Sequence, residues 1–300
     1  MINAKSRYDT LSSERAQYLN IAEESSRLTI PYLIHQDEHT QGMRNLKTPW
    51  QSVGAKGVVT LSAKLMLSLL PPQTSFFKLQ VDEGKLGDYG PEVKSELDLA
   101  FAKIERTILE QIAASDDRVV VHQAMKHLVV AGNALIFMGK KNLKLFPLSR
   151  YVLDRDGNGN VIEIVTKERI SKKLIQELVP DLENKNTTDY GEDKTENCDV
   201  YTHVKVYGNK VIWHQEVYDK IIPKSQGKSP LSATPWLPLR FNTVDGEAYG
   251  RGRVEEFIGD IKSLEALSQA LVEGSAAAAK VVFTVSPSSS TKPATLASAG

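Results

Sequence analysis

Cysteine is almost missing from this sequence: Cys198 stands alone among 300 residues. A lone thiol excludes an intramolecular disulfide framework and any cysteine-rich zinc site, and it fits synthesis in a reducing cytosol. An excess of either charge is missing too. Lys+Arg and Asp+Glu both number 37, so no net field draws anionic partners, and a strong sequence-independent nucleic-acid binder is disfavoured. No apolar run approaches the ~20 residues a membrane-spanning helix needs, and the polar start "MINAKSRYDTLSSER" has no apolar signal core. The chain is therefore expected neither to span a membrane nor to leave by a standard signal. What is present, 41% hydrophobic and 25% charged residues, suffices for one large or two modest domains with real cores.

Helical spacing dominates the first half. Tyr8, Leu11, Leu19, Ala22 and Leu28 predict an amphipathic helix that stops before Pro31. A second is expected in "TPWQSVGAKGVVTLSAKLMLSLL", with Thr48 as its cap, Pro49 in its first turn and Pro71-Pro72 as its stop. Trp50, Gly54 and Gly57 are assigned to its packing. Val93, Leu97, Phe101, Ile104, Ile108 and Ile112 form the clearest stripe, whose face is expected to be buried. "VVVHQAMKHLVVAG" reads as a buried helix ending at Gly132.

Strand patterns follow. "NALIFM" and "LKLFPL" read as short strands, and "YVLDRDGNGNVIEIVTKE" as a β-hairpin around Asp, Gly and Asn. A short helix is expected near Ile170 to Leu178, then a mobile polar loop, "PDLENKNTTDYGEDKTENC". "DVYTHVKVYGNKVIWHQEVY" alternates about Gly208-Asn209 as another hairpin, and "WLPLRF" is a further strand. The longest helix is predicted from Arg253 to Lys280, about 40 Å at ~1.5 Å per residue, with small residues at "SAAAA" inviting close neighbours. "VVFTV" reads as a strand before an unstructured tail.

Four segments invite a chemical reading. "HQDEH" has the H-x-x-E-H spacing of some zinc peptidases, with His35 and His39 as ligands and Glu38 as base. It lies where the apolar pattern has stopped, so a solvated loop weighs more, and a cytosolic zinc-dependent hydrolase stands as the alternative function. "DRDGNGNVIEIV" places Asp154, Asp156, Asn158 and Gly159 as a calcium loop would, but Val165 holds the place of the essential Glu, so a turn is favoured. In "GRGR", residues 250–253, glycines precede a helix as in a dinucleotide fingerprint. The third glycine position is Glu255, and with Glu256 it would repel a phosphate at the helix start. His122, His127, His203 and His214 show no metal spacing in sequence, and no nucleophile arrangement or phosphate loop is present.

Five strings in order carry a resemblance: "TPWQSVGAKGVVTLSAKLMLSLLPPQTSFF" (48–77), "HLVVAGNALIF" (127–137), "YVLDRDGNGNVIEIVTKE" (151–168), "DVYTHV" (199–204) and "DGEAYGRGRVEEFIGDIKSLEAL" (245–267). In these the chain resembles the portal proteins, or head-to-tail connectors, of short-tailed, podovirus-type tailed phages. The resemblance implies an α+β protomer, a mixed helix/sheet wing followed by a long stem helix, forming the N-terminal part of the full fold. Residues 1–250 would be the wing, 251–280 the first stem helix and 281–300 the start of the clip, so the chain is expected to stop inside its fold, without the second stem helix, channel loop and crown.

It further implies a non-enzymatic, cofactor-free subunit of a homo-oligomeric ring, usually of twelve, at one capsid vertex of the virion, assembled in the host cytoplasm. Double-stranded DNA would pass through the ring without sequence specificity during genome packaging and ejection. Terminase, tail adaptor, major capsid protein and internal core proteins would be its partners, with no membrane involved. Arg251, Arg253, Asp260, Lys262 and Glu265 are the candidates for stem or subunit-interface pairing. The balanced charge agrees with a conduit, because a strongly basic lining repeated around a ring would hold DNA instead of letting it slide.

Overall fold

The computed structural model describes residues 3–35, 46–72, 74–80, 91–171, 174–175 and 197–280. Helix α1 (Ala4–Leu28) begins where the Asn3 side chain accepts the Ser6 amide at 2.7 Å, satisfying one of the unpaired donors of the first turn. The predicted apolar positions Tyr8, Leu11, Leu19, Ala22 and Leu28 are all buried. The gap in that stripe is filled by Arg15, only 4% exposed. Its guanidinium donates to the carbonyls of Leu148 and Tyr151 at 2.9 and 2.8 Å and to the Tyr8 hydroxyl at 3.2 Å.

Helix α2 (Val53–Leu69) starts later than the sequence suggested, and Thr48 does not cap it. The reason is tertiary: the Glu265 carboxylate accepts the Trp50 and Gln51 amides at 2.9 and 3.3 Å, holding both outside the helix. Gln51 then bridges, accepting from Gly54 N–H and donating to Leu28 O. Gly54 is needed there, since a Cβ would lie 2.9 Å from Leu28 O, whereas Gly57 faces open space and Trp50 is exposed.

Helix α3 (Pro91–Ala114) has its expected bounds. Its stripe is not buried, however: Val93, Ile104 and Ile108 are exposed, and among its described side chains none is fully covered. No described element of the protomer lies against that face closely enough to cover it. Helix α4 (Asp117–Ala131) is buried along Ala124, Met125, Leu128 and Val129 and ends at Gly132 with φ +72°, a left-handed conformation that glycine adopts without strain.

Two antiparallel sheets follow. Strands β1 (Asn133–Met138) and β2 (Leu143–Phe146) pair as expected, and β9 (Trp236–Arg240) returns to the other edge of β1, giving the order β2-β1-β9. The larger sheet has the order β3-β4-β5-β6-β7, with β8 also on β6. Its strands are β3 (Tyr151–Arg155), β4 (Val161–Ser171), β5 (Asn197–Tyr207), β6 (Lys210–Val217), β7 (Lys220–Ile221) and β8 (Gly227–Pro230).

Of the short helix expected near Ile170 to Leu178, residues 174–175 are helical, but Ile170 belongs to β4: it pairs with Cys198, so the ladder with β5 outcompetes helix formation there. The polar stretch preceding Asn197 lies outside the described residues, as do "VVFTV" and the tail. Helix α1 lies across the larger sheet, packing Ala4, Tyr8 and Leu11 on Val152, Val165 and Tyr201, while α4 packs Ala124, Met125 and Leu128 on Ala134 and Ile136 of the smaller one. Each such side chain buried is worth roughly 1–3 kcal/mol.

The predicted long helix is interrupted. A short α5 (Arg253–Glu256) closes at Phe257 (φ −112°, ψ 11°), whose amide bonds Val254 O in a tight i to i+3 turn, and α6 (Ile258–Ala278) restarts from there. Val254 is buried, but no residue of α6 is, and the small residues 275–279 are exposed. Among the described residues no helix is long and apolar enough to cross a membrane.

Candidate functional site

The turn into α5 is built by close backbone approach. Gly132 O accepts the Phe241 amide at 2.9 Å, and Asn242 and Arg251 form an antiparallel bridge. Asn133, 1% exposed, accepts from Gly250 N–H and donates to Gly250 O, both at 2.7 Å. A Cβ at Gly252 would lie 2.4 Å from Val130 O, and one at Gly250 would lie 2.7 Å from Gly132 O. The glycines serve chain-on-chain packing, which accounts for their spacing without a ligand.

The arginines between them are already neutralised. Arg251 forks onto Glu247 at 2.8 and 2.6 Å and reaches Glu255 at 2.6 Å, with its guanidinium over the Tyr18 ring. Bonds to Glu247 and then Glu255 raise Arg251 above the usual arginine range, and the same bond holds Glu247 below the usual carboxylate range. Arg253 pairs with Glu256, which also accepts from Asn242 at 2.8 Å. A phosphate placed here would have to displace carboxylates from both arginines, so the helix start is not a phosphate cradle.

Further along, Lys262 pairs with Glu24 of α1 at 2.6 Å, and Glu265 holds the approach to α2. Four of the five stem candidates thus close contacts inside the protomer. Asp260 makes no such contact among the described residues.

The remaining sequence motifs separate cleanly. In the Asp154–Gly159 segment, Asp154 pairs with Arg7 at 3.0 Å, and Asp156 accepts the Asn158 and Asn160 amides at 2.9 and 2.7 Å. The first is an ion pair to α1 and the others are hairpin-turn bonds, and together they occupy oxygens a calcium ion would need. Of the zinc-peptidase alternative, His35 lies beyond the turn that follows α1 and on no helix, while Glu38 and His39 lie outside the described residues.

The sequence reading missed a pairing that the β5–β6 hairpin creates. His203 and His214 are directly opposite, because they stand at equal remove from the Gly208-Asn209 turn. Counting outward from that turn would have revealed it.

Comparisons with known proteins agree with one another. Residues 2–300 match the family described as bacteriophage head to tail connecting protein. The portal protein of Enterobacteria phage T3 is 38% identical over 308 residues, covering 99% of this chain and 56% of the relative. That of Escherichia phage T7 is 36% identical with the same coverage, and that of Enterobacteria phage SP6 is 28% identical over 95% of this chain and 55% of the relative. The chain spans about half the length of the curated relatives it matches. These relatives are named as portal proteins and not as enzymes, so the hydrolase alternative is set aside. The chain belongs to the family of bacteriophage head-to-tail connecting proteins.

Proposed function

We propose that this chain is a portal subunit: one member of a closed ring at a single capsid vertex, through which the genome is packaged and ejected and on which terminase and tail adaptor dock. The observation that carries the reading is the state of α6. It is apolar along Ile261, Leu264, Leu267 and Leu271, yet it has no buried residue, and Leu267 and Leu271 are 68% and 72% exposed. A soluble protomer rarely leaves such faces open, and neighbouring copies around a ring would cover them.

In this reading residues 1–250 form the wing, 251–280 the stem, bent at Phe257, and 281–300 the start of the clip. Asp260, with the exposed edges of Arg253, Lys262 and Glu265, would meet the adjacent subunit. Major capsid protein and internal core proteins would contact the ring, and DNA would pass through without sequence specificity. Assembly in the host cytoplasm would precede incorporation into the virion. Electron microscopy of the purified protein tests this: rings with a central hole, usually of twelve copies, are expected, and a persistent compact monomer overturns it.

A further inference from the structure

We propose that His203, His214 and Glu216 form a binding site for one zinc-class divalent cation, on the face of the larger sheet covered by the start of α1. His203 on β5 and His214 on β6 are cross-strand partners, so both imidazoles rise from one face, with ring centroids 5.5 Å apart. Glu216 follows His214 by two positions, and the strand period returns it to that face. One donor atom from each of the three lies within 4.8 Å of the other two. Tetrahedral zinc with bonds of ~2.0–2.2 Å places its ligand atoms about 3.3 Å apart, so side-chain adjustment closes the set without moving the strands. Two imidazoles and a carboxylate leave a fourth position for water, and the nitrogen donors favour zinc-like ions over magnesium or calcium.

The surroundings support the ligands. Glu216 Oε2 accepts the Ala4 amide at 2.7 Å, while Oε1 is bonded to His214 Nε2 at 2.7 Å, a contact in which an ion would take the place of the shared proton. Glu163 bonds the His203 ring, as a carboxylate does behind a metal-binding imidazole, and is itself held by Arg7 Nε at 2.6 Å. His203 and Glu216 are 3% and 8% exposed, so water screens the site little.

Arg7, Lys205 (3.6 Å from Glu163) and the positive start of α1 oppose a cation, but the carboxylates of Glu163, Glu216 and Asp154 balance them. The three ligands stand on β5 and β6, so a bound ion would cross-link these two strands beneath the first turn of α1, which Glu216 already holds through the Ala4 amide. Without an ion the same residues only pin that turn by hydrogen bonds, and the two roles differ in what a titration reads.

The test is calorimetric titration of zinc chloride into the purified protein after chelator treatment, together with thermal unfolding. Saturable binding of about one zinc per subunit is expected, with a midpoint that rises with zinc. His214→Asn, at a partly exposed ring, and Glu216→Gln should each weaken binding at least tenfold while the zinc-free protein keeps its circular dichroism. His35→Ala should bind as the parent does. Absence of saturable binding, binding that survives both site variants, or binding lost through His35→Ala would each overturn the proposal.

Discussion

Arg15 shows what a single residue contributes when the apolar stripe of a helix is interrupted by charge. Its Nη1 donates to two carbonyls of the Leu148–Tyr151 segment and to the Tyr8 hydroxyl while Nη2 reaches Ser12 Oγ at 3.2 Å, so it ties α1 to the entry of β3 with donors that an apolar side chain lacks. Arg15→Leu should cost about 2–4 kcal/mol in urea unfolding, because the two carbonyls lose their partner inside the core. Arg15→Lys should recover less than half, since its ammonium stops about one bond short of the Nη1 position around which the acceptors gather. Gly132 and Gly208 make a second, paired case. Both have positive φ, +72° and +56°, but a Cβ at Gly132 would sit 2.3 Å from the Arg251 carbonyl carbon, whereas one at Gly208 meets nothing within 4 Å. Gly208→Ala should therefore cost only about 1 kcal/mol of backbone strain, while Gly132→Ala should destabilise by several times that or prevent folding, as read by denaturant unfolding of the two variants side by side.

At the scale of the element, helix α4 couples the fold to pH through His127, which is 7% exposed. Burial pushes this histidine down from 6.5 to about 4. The folded state keeps it neutral while the unfolded chain binds a proton below about 6.5. Stability is thus fully present above 6.5 and is lost as pH falls towards 4, by about 3 kcal/mol if this group acts alone. His127→Leu should flatten urea midpoints across that window, and an unchanged slope would place the titration elsewhere. The same helix explains what the sequence made legible: α4, its left-handed end and strands β1 and β2 are local in origin, written in periodicity and one glycine. The start of α2, the break at Phe257 and the ladder of Ile170 with Cys198 depend on Glu265, Val254 and β5, which lie far away in the chain or act only once packed. For the candidate site, the carboxylates Glu255 and Glu256 are enough to exclude phosphate and the meeting of His203 with His214 can be counted from the Gly208-Asn209 turn, but the clasp of Glu247 on Arg251 requires the folded backbone.

For the whole molecule, what matters is the set of apolar faces that one protomer leaves uncovered. Leu99 and Ile104 on α3, and Leu267, Leu271 and Val272 on α6, are each at least 47% exposed, so their burial can come only from another surface. Helix α6 is attached by Ile261 against the core, by the Lys262–Glu24 pair and by the Glu265 carboxylate on Trp50 and Gln51, contacts that hold its orientation but leave its later turns exposed. In the proposed ring, a helix held this way would be oriented before assembly and stabilised by it. Charges introduced at Leu267 and Leu271 should therefore leave the protomer almost unchanged, within about 0.5 kcal/mol each, as exposed positions do. In a ring the same charges would be buried unpaired at every subunit contact, a penalty repeated around the circle. Leu267→Asp with Leu271→Asp is expected to abolish rings in electron micrographs and to shift sedimentation to the monomer, with circular dichroism unaltered. Rings that persist in this double variant would remove α6 from the subunit interface and transfer the role to the exposed face of α3.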